Sequence, residues 1–421
     1  MPTVGSFPTV CTEIAGIPVV ELARRYTTPF YVYDAAKIVE RIEDLRAFDG
    51  IRYAQKACSN LAILDLMRRS GVLVDAVSAG EVRRALAAGY AAHGEPPQVV
   101  YTADIFDAES LDLVRDLGIH VNAGSPDMIE QLGEVAPGRN LTLRINPGFG
   151  HGHSQKTNTG GEQSKHGIWH EQLELCLRRV EHHGLSVTGV HMHIGSGTDL
   201  EHLSQVCGAL EKTALTVGRT VTTISAGGGL PVPYNATQSY VDLDRYFGLW
   251  DGTRKRLEQA FQHPVRLEVE PGRYLVAESG YLVTEIRAVK RMGQNVFYLA
   301  DAGFNNLARP ILYGAYHPLA IAPADGDVNR PRQNVVVGGP LCESGDIFTQ
   351  QEGGFVCQRE LPAAAVGDYL VIGCAGAYGY VMGSNYNSKP LAAEVLIRSG
   401  QDHLIRERQT FEDLVRGEIV P

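Results

Sequence analysis

The sequence predicts an α/β protein: a closed (β/α)8 barrel (TIM barrel) followed by a second, mainly β domain of sandwich-like or barrel-like form. Short apolar runs alternate with helical patterns through the first two-thirds of the 421-residue chain. Eight such runs fit eight βα units, which close a parallel barrel rather than leaving an open sheet. After about residue 275, β-rich segments separated by Gly and Pro replace the helical patterns.

The predicted barrel strands are short apolar runs with the lengths of buried parallel strands. They are Ile51–Gln55, Val72–Val77, Gln98–Thr102, Ile119–Asn122, Leu141–Asn146, Ser186–His193, Val221–Ala226 and Val265–Glu270. After the second strand, Ser78 and Glu81 form a capping box that starts a helix, and Gly89 suits its C-terminal end.

The predicted β domain follows the eighth strand. Its β-rich segments are Tyr281–Lys290, Val296–Ala300, Asn334–Val337 and Asp368–Gly373. The Pro-, Asp- and Gly-rich stretch Ala320–Arg332 is predicted to be an exposed loop.

Composition excludes several classes of protein. Hydrophobic residues make up 44% and charged residues 20% of the chain, as in globular rather than disordered proteins. The net charge of −10 argues against nucleic-acid binding, because phosphate backbones need clustered cations. No apolar run approaches the ~18 residues of a membrane span. Seven cysteines without CxxC spacing favour a reducing, cytoplasmic compartment.

Polar residues at the carboxyl ends of the predicted strands are the candidate site, since barrel enzymes act there. Lys56 follows the first strand; it is either a Schiff-base nucleophile or a solvated strand-end lysine. His191 and His193 end the sixth strand and point the same way. They could bind a metal, place one imidazole against a cofactor ring, or include a hydrogen-bonded core histidine.

Two further strand ends suit an anionic heteroaromatic ligand. Gly227–Gly229 follow the seventh strand, where barrels commonly bind phosphate, and glycine lets backbone N–H groups approach an anion. The eighth strand leads into Glu270 and Arg273. These are either a structural ion pair or a carboxylate for a protonated ring nitrogen and an arginine for phosphate. Together with Lys56 and His193, this ordered set describes a pyridoxal-phosphate (PLP) site.

Longer segments carry a resemblance that runs from about Pro29 to the C-terminus. They are Tyr53–Asn60 (YAQKACSN), Arg144–Gly148 (RINPG), Ser164–Trp169 (SKHGIW), His191–Gly197 (HMHIGSG), Glu270–Arg273 (EPGR), Asp301–Tyr316 (DAGFNNLARPILYGAY), Gly339–Asp346 (GPLCESGD) and Ala375–Pro390 (AGAYGYVMGSNYNSKP). In these segments the sequence resembles the fold-type III PLP-dependent decarboxylases, and within them the diaminopimelate decarboxylase family. The resemblance implies a carboxy-lyase that uses PLP to convert meso-2,6-diaminopimelate to L-lysine and CO₂, the last step of lysine biosynthesis.

The resemblance also implies roles for single residues. Lys56 would bind the cofactor covalently, His193 would stack on its ring, and Cys342 would donate a proton. The implied cofactor contacts are Lys56, His193, Ser196, Gly227, Gly228, Gly229, Glu270, Gly272, Arg273 and Tyr378. The implied substrate contacts are Arg273, Arg309, Tyr313, Glu343 and Tyr378. No metal is expected.

The resemblance further implies the domain division and the assembly. A PLP-binding barrel would cover residues 26–270, and residues 1–25 with 271–421 would form the β domain. The CESGD segment would reach the active site of a partner subunit, so that the functional unit would be a homodimer with shared sites. Relatives often have an acidic residue just before Ala375 and an arginine at the position of Lys389; neither departure falls on an implied site residue.

Three alternatives stay open. The chain could decarboxylate a related basic amino acid, such as ornithine, lysine or arginine, although Arg309 suits the second carboxylate of diaminopimelate. It could be a barrel metallohydrolase that uses His191 and His193, although such enzymes usually carry this pair on their first strand. It could be an inactive regulatory relative, against which the presence of both Lys56 and Cys342 argues.

Overall fold

The structure is a computed structural model that describes residues 7–150, 160–193 and 199–421. The chain divides into two compact units. The first, here called the barrel unit, contains Arg41–Pro231 and Val241–Tyr274; the second, here called the β unit, contains the described residues up to Glu40 with Val232–Tyr240 and Leu275–Pro421.

The chain begins in the β unit and enters the barrel unit within its second helix. These first elements are β1 (Glu13–Ile14), β2 (Ile17–Pro18), α1 (Val19–Tyr26), β3 (Phe30–Asp34) and α2 (Ala35–Glu43).

The barrel unit alternates strands and helices along the chain. Its elements are β4 (Gly50–Ala54), α3 (Leu61–Arg69), β5 (Leu73–Ala76), α4 (Ala79–Ala87), β6 (Val99–Ala103), α5 (Ala108–Leu117), β7 (His120–Ala123), α6 (Pro126–Val135), β8 (Asn140–Asn146), β9 (Ile168–Trp169), α7 (Leu173–His182), β10 (Ser186–His191), α8 (Leu200–Val217), β11 (Thr223–Ser225), α9 (Leu243–Phe261) and β12 (Arg266–Val269). The helix α10 (Arg273–Val276) leads out of it.

Eight of these strands form a closed parallel barrel in the order β4, β5, β6, β7, β8, β10, β11, β12. The sheet closes where β12 pairs with β4, Glu268 opposite Gly50. Each of the eight predicted strands overlaps one of these, so the predicted barrel is confirmed. The short β9 pairs with β8 as an additional strand. All carboxyl ends of a parallel barrel lie at one end, which is where the candidate residues were expected.

The β unit continues with mainly β elements. They are β13 (Gly280–Met292), β14 (Asn295–Ala300), α11 (Arg309–Tyr313), β15 (Leu319–Ala322), β16 (Arg332–Gly338), β17 (Arg359–Pro362), β18 (Tyr369–Ile372), β19 (Ala393–Arg398), β20 (Gln401–Arg406) and α12 (Phe411–Leu414). The main sheet has the order β17, β16, β14, β13, β3, β19, β20, and β18 pairs with β13 and β15. The predicted mainly β second domain is therefore confirmed.

The strand β3 lies in the middle of the sheet of the β unit. It pairs antiparallel with β13, Tyr33 opposite Gly280, and parallel with β19, Ala393 opposite Phe30. For this reason residues 26–40 lie in the β unit, whereas the sequence prediction began the barrel domain at residue 26. A core of buried apolar side chains joins α1 to the sheet; it includes Val19, Leu22, Val283, Val371 and Val395.

The predicted loop Ala320–Arg332 is a loop only over residues 323–331, because Arg332 already begins β16. Its first three residues belong to β15, which pairs with β18, Ile321 opposite Leu370. In the described part of the chain, no helix combines the length and the apolar character needed to cross a membrane.

Candidate active site

Lys56 lies in a short 3₁₀ turn, Gln55–Ala57, directly after β4. Within residues 51–58 Lys56 is the exposed residue and all the others are buried. The N–H of Ala54 donates to the carbonyl of Pro271 at 3.1 Å, which ties the end of β4 to the end of β12. The lysine amine is therefore accessible at a strand end that is otherwise tightly packed.

Glu270 follows β12 and is held by its neighbours on β10 and β11. The residue is 8% exposed, and its Oε1 accepts a hydrogen bond from the hydroxyl of Ser225 at 2.7 Å. Its Oε2 lies 3.3 Å from Nε2 of His191. The backbone N–H of Glu270 also donates to the carbonyl of Gly227 at 2.7 Å. Both carboxylate oxygens thus have fixed neighbours, and the group keeps one orientation.

The two histidines at the end of β10 have different surroundings. His191 is buried, and its Nδ1 lies 2.7 Å from the amide nitrogen of Asn122. Burial lowers the pKa of His191 to about 4. His193 accepts the N–H of Gly228 on its Nδ1 at 2.8 Å. Burial, with the nearby cations Arg144 and Lys56, holds the pKa of His193 well below its usual value. Both imidazoles are therefore neutral near pH 7.

The geometry of this pair bears on the metal-site interpretation. The rings stand nearly perpendicular, at 78°, with centroids 6.3 Å apart. No group of three or more His, Cys, Asp or Glu side chains that could hold a metal ion occurs among the residues that the structure describes.

The glycines after β11 are required by close packing. A Cβ on Gly227 would lie 2.6 Å from the carbonyl oxygen of Met192, and one on Gly228 would lie 2.4 Å from that of Glu270. Two of the three backbone amides that were predicted to face an anion donate hydrogen bonds to protein side chains instead. Gly227 N–H donates to Ser225 Oγ at 3.1 Å, and Gly228 N–H donates to His193. In the described structure Gly229, with φ +97°, is the one of the three whose N–H has no protein acceptor.

Two acidic side chains near Lys56 were not among the site residues predicted from the sequence. Asp75, on β5, is 5% exposed; its burial raises its pKa, and the charge of Glu270 adds to this effect. Burial also raises the pKa of Glu81, while the charge of Lys56 opposes the rise in both groups. An aspartate within the apolar run Leu73–Ala76 was a signal that could have identified Asp75, because a buried carboxyl needs a partner.

The remaining cofactor candidates of the barrel unit lie after β12. A Cβ on Gly272 would lie 3.2 Å from the carbonyl oxygen of Ala54, so the chain passes closely over the end of β4. Arg273 is half-buried and begins α10. Ser196 lies outside the described residues, as does most of the glycine-rich loop 148–161.

A second group of candidates belongs to the β unit. Arg309 and Tyr313 lie on α11, and Arg309 is buried. Cys342 and Glu343 are exposed, and Tyr378 is half-buried with a left-handed backbone, φ +57°. The N–H of Cys342 donates to Oδ1 of Asn387 at 2.8 Å, a pairing that the sequence did not predict.

The donor set at the end of the barrel fits PLP. An accessible amine can bond an aldehyde, a fixed buried carboxylate can face a pyridine nitrogen, and a neutral imidazole can lie against a ring. At Gly228 the backbone packs against the carbonyl of Glu270 at this same end of the barrel, with no room for a Cβ. Arg273 and the N–H of Gly229 offer a cation and a donor for phosphate.

Comparisons with known proteins agree with this interpretation. Residues 35–277 match the family model described as the pyridoxal-binding domain of pyridoxal-dependent decarboxylases. A diaminopimelate decarboxylase of Escherichia coli strain K12 is 53% identical over 411 residues, which cover 97% of this chain and 98% of the relative. One of Streptomyces coelicolor is 54% identical over 403 residues, covering 95% and 91%.

Solved structures show the same likeness. A crystal structure of a diaminopimelate decarboxylase superimposes with a TM-score of 0.94 at 52% identity and covers 98% of each chain. One from M. jannaschii, in co-complex with L-lysine, has a TM-score of 0.86 at 28% identity and covers 99% of each chain. On family model, sequence and fold together, this chain belongs to the diaminopimelate decarboxylase family of PLP-dependent decarboxylases.

Proposed function

We propose that this chain is a PLP-dependent enzyme that decarboxylates meso-2,6-diaminopimelate to L-lysine, the last step of lysine biosynthesis. The observation that carries the proposal is the set of groups at one end of the barrel. An exposed lysine follows β4, and a neutral histidine follows β10. Closely packed glycines follow β11, and a buried carboxylate in a fixed orientation follows β12. Two relatives that are more than 50% identical share the name diaminopimelate decarboxylase, and this name supports diaminopimelate as the substrate.

The cofactor would be held by residues of the barrel unit. Lys56 would bind it through its amine, Glu270 would face its ring nitrogen, and His193 would lie against its ring. Its phosphate would be bound by Ser196, Gly229, Gly272 and Arg273, and Tyr378 would also contact it. When bound, PLP accepts the electron pair that the departing carboxyl group leaves behind. Ser225 and His191 would keep the carboxylate of Glu270 in position to face the ring nitrogen.

The substrate would be recognised at both ends. Its distal end carries a carboxylate and an ammonium, for which Arg309 and Glu343 are groups of matching charge. Arg273, Tyr313 and Tyr378 would complete the substrate contacts. The reaction replaces one carboxyl group by a proton, and the thiol of Cys342 would donate that proton to the substrate Cα.

We also propose a cytoplasmic homodimer in which Cys342 and Glu343 of one subunit complete the site of the other. Both residues are exposed in the single chain, which suits a surface that a second copy covers. All seven cysteines are free, which supports a reducing compartment.

The decarboxylation of a related basic amino acid is the second candidate. Ornithine, lysine and arginine each have a single carboxyl group, which leaves as CO₂. A buried arginine such as Arg309 would then have no second carboxylate to bind. A panel of these amino acids beside meso-diaminopimelate distinguishes the two candidates.

The experiment that tests the proposal measures cofactor and turnover together. Purified protein should show the visible absorbance of bound PLP and should release CO₂ and L-lysine from meso-diaminopimelate. Lys56→Ala should lose both the absorbance of the attached cofactor and the turnover, whereas Lys212→Ala, a change on the barrel helix α8, should keep both. Retained turnover in Lys56→Ala, or turnover of ornithine in place of diaminopimelate, would contradict the proposal.

A further inference from the structure

His317 contacts the proposed substrate-binding arginine directly. Its Nε2 lies 2.9 Å from Nη1 of Arg309. On the other side of the ring, Nδ1 lies 3.1 Å from the carbonyl oxygen of Gly373. His317 is 3% exposed and Arg309 is 8% exposed, so little water reaches these contacts.

The two contacts define the tautomer of the imidazole. A carbonyl oxygen only accepts hydrogen bonds, so Nδ1 of His317 carries the proton that is donated to Gly373. A guanidinium group only donates, so Nε2 must offer its lone pair to Arg309. The ring is therefore neutral, and each of its nitrogens has one defined partner. A protonated ring could not keep the contact with Arg309, since both groups would then be donors.

The carbonyl that orients His317 is itself fixed by the sheet. Gly373 follows β18, and its N–H donates to the carbonyl of Pro318 at 2.9 Å, which extends the pairing of β18 with β15. His317 directly precedes Pro318. The imidazole is thus attached at both ends to one pair of strands, and its position is determined by the sheet rather than by a loop.

An aromatic ring packs against the guanidinium. The central carbon of Arg309 lies 5.0 Å from the centre of the Tyr234 ring, a distance typical of a cation–π contact. The same ring meets His317 edge to face, with centroids 5.4 Å apart and an angle of 85°. Tyr234, His317 and Arg309 form an interlocked group within the β unit, here called the arginine clamp.

We infer that His317 is a positioning residue for Arg309 and thereby determines selectivity for substrates with a distal carboxylate. An arginine side chain has many rotamers, and ordering it on binding costs free energy. A neutral acceptor on one nitrogen and an aromatic ring against the guanidinium reduce that freedom beforehand. Neither group carries a negative charge that would compete with the carboxylate of the substrate. The inference rests on the proposed function, because that function makes Arg309 a substrate contact.

The test compares two changes at His317. His317→Leu removes both nitrogens, and His317→Gln keeps an N–H for Gly373 and an acceptor oxygen for Arg309. His403→Leu, on the exposed strand β20, is the matched control. The leucine variant should raise KM for meso-diaminopimelate roughly 10- to 100-fold, the effect of losing a hydrogen bond to a charged group, while kcat stays nearly constant. The glutamine variant should recover part of the loss, and the control should match the wild type.

Binding measurements separate this inference from the proposed function. L-Lysine keeps the distal carboxylate, whereas 1,5-diaminopentane lacks it, and both can be followed by the absorbance of the bound cofactor. His317→Leu should weaken L-lysine binding by a similar factor and leave 1,5-diaminopentane binding unchanged. A wild type that does not turn over diaminopimelate refutes the proposed function. The ratio of the affinities for L-lysine and 1,5-diaminopentane still tests the arginine clamp in that case.

Two results would overturn the inference. One is a folded, cofactor-bound His317→Leu protein with the wild-type KM and the wild-type ratio of affinities for the two ligands. The other is a ¹⁵N spectrum of labelled wild-type protein that places the His317 proton on Nε2 instead of Nδ1. The spectrum decides the matter even where the leucine variant does not fold.

Discussion

Cys342 is exposed, but its backbone is fixed at several points. Its N–H donates to Asn387, which adopts a left-handed backbone with φ +55°. The N–H of Leu341 donates to a carboxylate oxygen of Asp346 at 2.8 Å, and that of Phe304 donates to the other at 2.7 Å. The segment therefore presents the thiol in a defined position, as a proton donor requires.

Replacing Cys342 by alanine should impair turnover much more than cofactor binding. Removal of a positioned proton donor typically costs about 10²- to 10⁴-fold in rate, whereas the thiol makes no proposed contact with PLP. Steady-state kinetics and the absorbance of bound cofactor measure the two effects. Cys357→Ala, another free and partly exposed cysteine of the β unit, serves as the control. Equal turnover in Cys342→Ala and Cys357→Ala would disprove the donor role.

The residues that sequence reasoning singled out are those within motifs. Lys56, Glu270 and Gly227–Gly229 are predictable because they end strands whose apolar pattern is clear. Their partners are not predictable in this way. Ser225 and Glu270 are 45 residues apart, and Asn122 and His191 are 69 apart. Such pairs form only because the closed barrel brings together strands that are far apart in the sequence.

At the scale of elements, β4 and β12 share a buried ionic cluster. Nη2 of Arg52 lies 3.0 Å from Glu268, and Nε of Arg266 lies 2.9 Å from the same carboxylate. Burial acts to raise the pKa of Glu268, but the charges of Arg52 and Arg266 outweigh it and hold the pKa below its usual value. The cluster thus stabilises the closure of the barrel only while Glu268 is ionised.

Glu268→Gln should destabilise the protein at pH 7 by about 3 kcal/mol or more, because Arg52 loses its buried partner. Since the folded-state pKa lies below the unfolded value of ~4.3, the contribution is fully present above that pH. It is lost as the pH falls through the folded-state pKa, so the two proteins should converge in acid. Urea unfolding followed by tryptophan fluorescence measures this difference.

The control for this change is Glu211→Gln, whose partner Arg256 is 54% exposed at the side chain. An exposed pair of this kind contributes about 1 kcal/mol or less. A Glu268→Gln protein as stable as the Glu211→Gln protein at pH 7 would contradict the role assigned to the cluster.

Gly228→Ala should disturb the cofactor end of the barrel. The added Cβ would lie 2.4 Å from the carbonyl oxygen of Glu270 and 3.0 Å from the ring of His193, so both must move. Overpacking of this kind costs about 1–3 kcal/mol, and we expect a lower affinity for PLP by absorbance titration.

Gly248→Ala, in the middle of α9, is the matched control because its added Cβ would meet nothing within 4 Å. This change should leave cofactor binding unchanged and stabilise the helix slightly. Wild-type PLP affinity in Gly228→Ala would show that the close passage is not needed for the site.

The barrel strands could be predicted because each is a buried apolar run flanked by helical patterns. The β unit could be predicted only in part. Its strand β15 is a four-residue run between prolines, which periodicity does not distinguish from a loop. The hairpin of β19 and β20 was not predicted, although Ser399 and Gly400 form its turn with φ of +53° and +75°. A Ser-Gly pair between apolar runs was the available signal.

For the whole molecule, the proposed shared site predicts complementation between inactive variants. Coexpressed Lys56→Ala and Cys342→Ala chains should form mixed dimers in which one site carries both changes and the other carries neither. Random pairing then restores about a quarter of wild-type activity. Activity of the purified mixture, with size-exclusion chromatography to establish the dimer, measures this recovery.

A pairing of two barrel variants is the control. Lys56→Ala with His193→Ala leaves one defect in every site, so no recovery is expected. Recovery in neither mixture would contradict the proposal that Cys342 acts on the partner's site.

The central position of β3 has a consequence for the order in which the newly made protein can fold. On the ribosome β3 emerges early, but its neighbours β13 and β19 are synthesised only after the whole barrel. At 5–20 residues per second, the interval between Tyr33 and its partner Gly280 is on the order of 10 to 50 s. During that time an apolar strand, buried at Phe30–Tyr33 in the finished protein, has no partner. We therefore expect β3 to be the segment through which the nascent chain binds chaperones or aggregates. Aggregation should be strongest in a chain shortened at its C-terminus.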